Sequence, residues 1–142
     1  MTQSYKTTVR WLGGHKGFLT CGNGPAMAFG APPDAHGEYG VLTPEDAFVA
    51  AINTCIHLMF IWACERFKID LVAYECEAEG FKQVRLDQTE EFSQVILRPR
   101  ITARGCDEQR VRRAVGSARK YSLIAESVRC PVIVEPEIII VE

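Results

Sequence analysis

The sequence has little that would tie it to a special environment. No two of its six cysteines are spaced as CxxC, and "MTQSYKTTVRW" contains no continuous apolar run followed by a small-residue cleavage site. Neither a secreted disulfide framework nor a signal peptide is therefore expected; free thiols in the cytoplasm are. Neither sign of charge is in excess: 16 Lys and Arg against 18 Asp and Glu leave a formal charge of −2, without the basic surplus of a nucleic-acid binder. Closely spaced metal ligands are also lacking. Cys55 and His57 are the nearest pair and point apart on a helix, so no metal and no cofactor is implied. Repeats, low-complexity segments and dividing linkers are absent, and a single domain over residues 1–142 is expected, large enough to bury roughly two-thirds of its unfolded surface.

What is present reads as an α+β chain. "SYKTTVRWL", "GFLTCG" and "PAMAFG" are β-prone runs parted by the turn signals "GGHKG" and "NG", giving a meander of three strands. The loop "APPDAHGEYGVL" follows, long enough to be functional. Thr43, Pro44 and Glu45 then supply an N-cap, a first-position proline and a first-turn acid, opening a helix to about Phe67. Phe48, Ile52, Cys55, Met59 and Trp62 form one stripe, but the helix is apolar nearly all round, as a central helix is. Asn53, Thr54 and His57 interrupt it short of a membrane span.

"LVAYECEAEGFK" alternates as a strand, with Val72, Tyr74, Cys76 and Ala78 facing in, and "EFSQVILRPRITA" reads as its antiparallel partner. One or two helices follow, opened near Asp107, with Val111, Ala114, Val115, Ala118, Ser122 and Ala125 as their inward stripe. Ser122, a hydroxyl on that apolar face, is explained by a bond to the helix carbonyl four residues back. "PVIVEPEIIIV" closes the order βββ-α-ββ-α-(α)-β, with Pro136 at a bulge or edge. The whole is expected to be an antiparallel sheet packed on helices.

Cys55 raises the functional question, because a cysteine in an apolar helix is commonly a small hydrophobe. "LTPEDAFVAAINTCIHLMF" resembles the signature of the OsmC/Ohr superfamily of organic hydroperoxide reductases: a Thr-Pro-Glu helix start with a cysteine ten residues after the glutamate. "ARKYSLIAESV" resembles that family's second motif, with serine in place of its cysteine. The resemblance implies an OsmC-like fold and an intertwined homodimer with interface sites built from both protomers. It also implies that a small-molecule peroxide is attacked by Cys55, with a thiol as reductant and no cofactor. By the same resemblance Glu45 orients the catalytic cation, for which "GGHKG" offers Lys16 or His15 in place of arginine, and Ser122 stands where the resolving cysteine belongs.

Serine forms no disulfide, so recycling passes to an external thiol or to Cys130, just beyond the second motif. Cys64 is nine residues from Cys55 on the same helix, about 180° round and about 13 Å away, and is excluded as resolver. Cys21 and Cys106 have no evident partner, and nothing in the sequence shows that His36, in the Gly/Pro loop, approaches a neighbouring chain's site. The alternative reading is a non-catalytic OsmC-like protein that binds a small hydrophobic ligand at the dimer interface, against Phe48, Ile52, Met59 and Trp62.

Overall fold

The computed structural model describes residues 2–142. Its contacts divide the chain into two compact units, residues up to Phe48 and residues from Val49 onward. The first unit is the expected meander. Strands β1 (Thr7–Trp11), β2 (Lys16–Cys21) and β3 (Ala26–Gly30) pair antiparallel in sequence order. Gly13 and Gly14 make the β1–β2 turn, both at positive φ (99° and 54°), where a side chain would be strained. After a short 3-10 turn at Pro33–Ala35, Leu42 returns to the sheet and its carbonyl accepts the Gly30 N–H.

Helix α1 (Pro44–Arg66) starts where the Thr-Pro-Glu pattern places it. The buried Thr43 hydroxyl accepts the Asp46 N–H at 3.1 Å, satisfying one of the amides that a helix start leaves unpaired. Thr43→Ala is expected to cost about 1 kcal/mol, read as a lower denaturation midpoint at unchanged m-value.

In the second unit, strand β5 (Glu90–Arg104) is central. It pairs antiparallel with β4 (Asp70–Val84) and buries Val95, Leu97, Ile101 and Ala103 at every second position. Helix α2 (Glu108–Lys120) is capped by the Asp107 carboxylate on the Arg110 N–H and buries Val111, Ala114, Val115 and Ala118; α3 (Leu123–Ser127) follows. The closing segment differs from expectation in two respects. It is split into β6 (Val132–Val134) and β7 (Glu137–Val141), with Pro136 in the gap between them. Both run parallel to β5, because the return through α2 and α3 is a crossover and not a hairpin.

Val72 is 45% exposed, not inward, because a register shift between Leu71 and Ala73 turns it out of the alternation; Tyr74, Cys76 and Ala78 are half-buried as expected. Along α1, Val49 lies over Gly80, the Asn53 amide donates to the Cys76 carbonyl at 3.2 Å, and the rings of His57 and Phe60 sit 4.6 and 5.4 Å from Tyr74. A Cβ at Gly80 would come within 2.8 Å of Val49 Cγ2 and 2.9 Å of Phe92 Cε1, so the glycine sets how closely helix and strand approach. Gly80→Ala is expected to destabilise by about 1–3 kcal/mol through overpacking, measurable by urea titration.

This packing selects the buried face of α1: Ile52, Ile56, Phe60, Ala63 and Cys64 are buried, whereas Trp62 is 64% exposed. By length and composition alone α1 is able to cross a membrane, contrary to the expectation from its polar residues. Two of those residues are accommodated locally, Asn53 on Cys76 and the Thr54 hydroxyl on the Ala50 carbonyl at 2.8 Å.

Candidate functional site

Cys55 and Ser122 meet, although 67 residues separate them. Ser122 is not the mid-helix serine of the sequence reading. The helical stripe breaks at Tyr121, and Ser122 takes an extended backbone (φ −73°, ψ 113°) as the N-cap of α3. Serine is a strong N-cap because its short hydroxyl reaches the amide three residues on; here it accepts the Ala125 N–H at 3.1 Å. With a lone pair held there, the hydroxyl proton is free to point elsewhere, and it donates to Cys55 Sγ at 3.1 Å. Ser122 is fully buried and Cys55 half-buried, and the sulfur meets a fixed donor in the serine hydroxyl.

Around the helix, His57 faces away from Cys55, as its spacing requires, and its ring lies tilted at 51° against Tyr74. Its Nδ1 is buried without a hydrogen-bond partner. The Cys76 thiol donates to the Glu77 carbonyl at 3.7 Å, and burial pushes both it and the neighbouring Tyr74 phenol up. Burial likewise pushes the Cys64 thiol up to about 11, so neither Cys64 nor Cys76 has the character of a nucleophile. Cys130 lines a cavity of about 400 Å³ with Arg129, Glu91 and Ser93, a group that includes neither Cys55 nor Ser122. All six cysteines are free.

The four residues expected to line a ligand differ in burial. Ile52 is sealed in the core at 0% exposure and has no surface to offer a ligand, while Trp62 is open to solvent and Phe48 and Met59 are half-buried. The burial of Ile52 has a simple cause: on a helix apolar all round, the sheet and not the stripe decides which residues are inside.

In the first unit, Lys16 Nζ pairs with Glu38 at 2.8 Å, both half-exposed, an acid the sequence did not single out and which no local pattern marks. The rings of His15 and His36 stack at 5.3 Å beside them, around a cavity of about 240 Å³. Glu45 carries a buried carboxylate oxygen, Oε1, with no hydrogen-bond partner. A buried carboxylate oxygen left in that state is costly, and it marks a place where a donor belongs.

A three-stranded meander followed by a long core helix on a mixed sheet makes this an α+β protein. Within that class the chain belongs to the OsmC family, as its resemblance implied: the model for OsmC-like proteins matches residues 36–137. No curated protein matches the sequence. Solved structures share the fold at low identity. An OsmC-like protein of unknown function from Vibrio cholerae superposes with a TM-score of 0.87 at 20% identity, over 96% of this chain and 100% of that one. An organic hydroperoxide resistance protein OsmC from Legionella pneumophila gives 0.78 at 19% identity, over 98% of each chain. The organic hydroperoxide resistance protein OhrB of Bacillus subtilis gives 0.66 at 20% identity, over 96% and 98%.

Proposed function

We propose that the chain reduces organic or hydrogen peroxides through Cys55 and that it works with one cysteine, not two. The carrying observation is the hydrogen bond from Ser122 to the Cys55 sulfur. The hydroxyl fills the place of the family's resolving thiol and holds the Cys55 sulfur by a hydrogen bond instead of trapping its oxidised product. Cys55 attacks the outer peroxide oxygen: an S–O bond forms, the O–O bond breaks, and the alcohol leaves with a proton. The sulfenic acid is then reduced by an external thiol, through a mixed disulfide opened by a second thiol. Cys130 is the secondary choice as resolver; its own cavity gives that route no support.

A cation beside the thiolate completes the proposal. Lys16 or His15 supplies it and Glu45 orients it, at an interface to which both protomers of a homodimer contribute. The unpartnered Glu45 oxygen supports an incoming donor, and Leu58 and Trp62 on α1, 58% and 64% exposed, support a covering partner. Six free cysteines fit a reducing, cytoplasmic setting.

The test is stopped-flow consumption of an organic hydroperoxide by the reduced protein, with mass spectrometry of a dimedone adduct. Fast consumption with the adduct at Cys55 is the expected result. A rate no greater than that of free cysteine would sink the proposal and leave Cys55 as packing.

A further inference from the structure

The chain is close to neutral, but its charges are segregated. Helix α2 carries five bases, Arg110, Arg112, Arg113, Arg119 and Lys120, against the single acid Glu108. Arg112 is tied to Glu108 at 3.2 Å and Arg119 to Glu126 at 3.5 Å. Arg110, Arg113 and Lys120 are exposed and have no ion pair among the described residues. At 100° and 1.5 Å per residue they form a stripe within about 80° of one another and about 15 Å long, on the side of the helix away from its buried residues.

The outer face of the sheet has the opposite sign. Alternation along β4 turns Glu75, Glu77 and Glu79 away from the core, a row about 13 Å long. Arg98 lies 3.7, 3.1 and 4.0 Å from Glu77, Glu79 and Glu135, and Arg100 pairs with Glu137 at 3.2 Å. Glu75, opposite Arg100 on the ladder, has no ion pair among the described residues. One guanidinium shared by three carboxylates does not neutralise them, and Glu75 adds a fourth negative group.

We propose that the basic stripe of α2 docks on the acidic sheet face of a second copy of this chain. Charge complementarity carries the inference, since the two rows have similar length and opposite sign. A formal charge of −2 leaves little long-range repulsion to oppose the contact. Each row lies on the side of its own element that faces away from the core, so one chain does not satisfy itself. The contact is head to tail: each copy offers its stripe to one neighbour and its acidic face to another, which extends a row of copies instead of closing a pair. Exposed ion pairs contribute little singly and are screened by salt, so the association is weak, reversible and set by ionic strength.

The experiment is static light scattering on the full chain at about 0.01 M and about 1 M NaCl, where charges are screened over about 30 Å and about 3 Å. Its readout is the osmotic second virial coefficient, negative for attraction between copies. Wild type is expected to be negative at low salt and positive at high salt. Glu75→Lys with Glu77→Lys changes the formal charge from −2 to +2, so net repulsion is unaltered, and is expected to be positive at both. Arg110→Gln with Arg113→Gln is expected to lose the attraction as well. Lys6→Gln with Arg10→Gln makes the same charge change at exposed residues outside both surfaces and is expected to keep it. All the substituted side chains are exposed, and an unchanged far-UV circular dichroism spectrum confirms the fold of each variant. A positive coefficient for wild type at low salt would overturn the proposal. Attraction kept in the β4 variant would give the stripe another occupant, and attraction lost equally in the Lys6 and Arg10 variant would make it an effect of net charge; either result overturns it too.

Discussion

Cys55→Ser is expected to lower hydroperoxide consumption by at least about a thousandfold while the fold is kept. The chemical loss is large because a serine hydroxyl is not ionised near neutrality and its oxygen does not accept an oxygen atom from a peroxide. The structural cost is small because the site already holds a hydroxyl donor. Ser122 donates to Cys55 Sγ at 3.1 Å, and an oxygen in place of that sulfur accepts the same bond, so stability should change by less than about 1 kcal/mol. Steady-state peroxide consumption and a thermal melt on the same preparation give both readings. Consumption at the wild-type rate would move the chemistry to one of the other five thiols.

Ser122→Cys is expected to convert the protein to a two-cysteine cycle. The hydroxyl oxygen lies 3.1 Å from the Cys55 sulfur, and a disulfide needs about 2.05 Å; a side-chain rotation of about an ångström closes the gap. After one equivalent of hydroperoxide, the introduced thiol should condense with the Cys55 sulfenic acid, and unreduced peptide maps should show the link. The reduced variant should be less stable by about 1 kcal/mol, since sulfur is a poor acceptor for the Ala125 N–H that Ser122 now caps. The oxidised variant should be more stable than the reduced one by about 4 kcal/mol, because the bond closes a long loop in the unfolded chain. Paired denaturation curves with and without reductant measure both. Failure to link after oxidation of Cys55 would show that the two positions part when the sulfur is modified.

Much of this was legible in sequence wherever the signal was local. Thr43, Pro44 and Glu45 announced α1, the alternation through Tyr74, Cys76 and Ala78 announced β4, and Asp107 announced α2; each rests on one residue meeting its own backbone or one face of its own element. Three features depended on distant partners and were not legible. The buried face of α1 was chosen by Tyr74 and Gly80 on β4, and an apolar stripe on an all-apolar helix carried no information about it. Ser122 continued the spacing of α2 without interruption, so its position as the cap of a separate helix was hidden in a pattern that fits both. The direction of β6 and β7 was set by the crossover, which local composition does not encode. Among the candidate site residues, the sequence brought Cys55 and Ser122 into one argument and the fold brought them into one hydrogen bond, whereas the pairing of Lys16 with Glu38 had no local sign.

Strand β5 owes one of its two edges to residues 132–141, which reach it only after α2 and α3 have been traversed. During synthesis that edge stays open for the time needed to make about thirty further residues, a few seconds at ribosomal rates. Through that interval an apolar strand carrying Val95, Leu97 and Ile101 presents unpaired amides and carbonyls to any neighbouring chain. The vulnerable species is therefore the nascent protein rather than the finished one, and its yield in cells depends more on translation speed and chaperone supply than on the stability of the folded state.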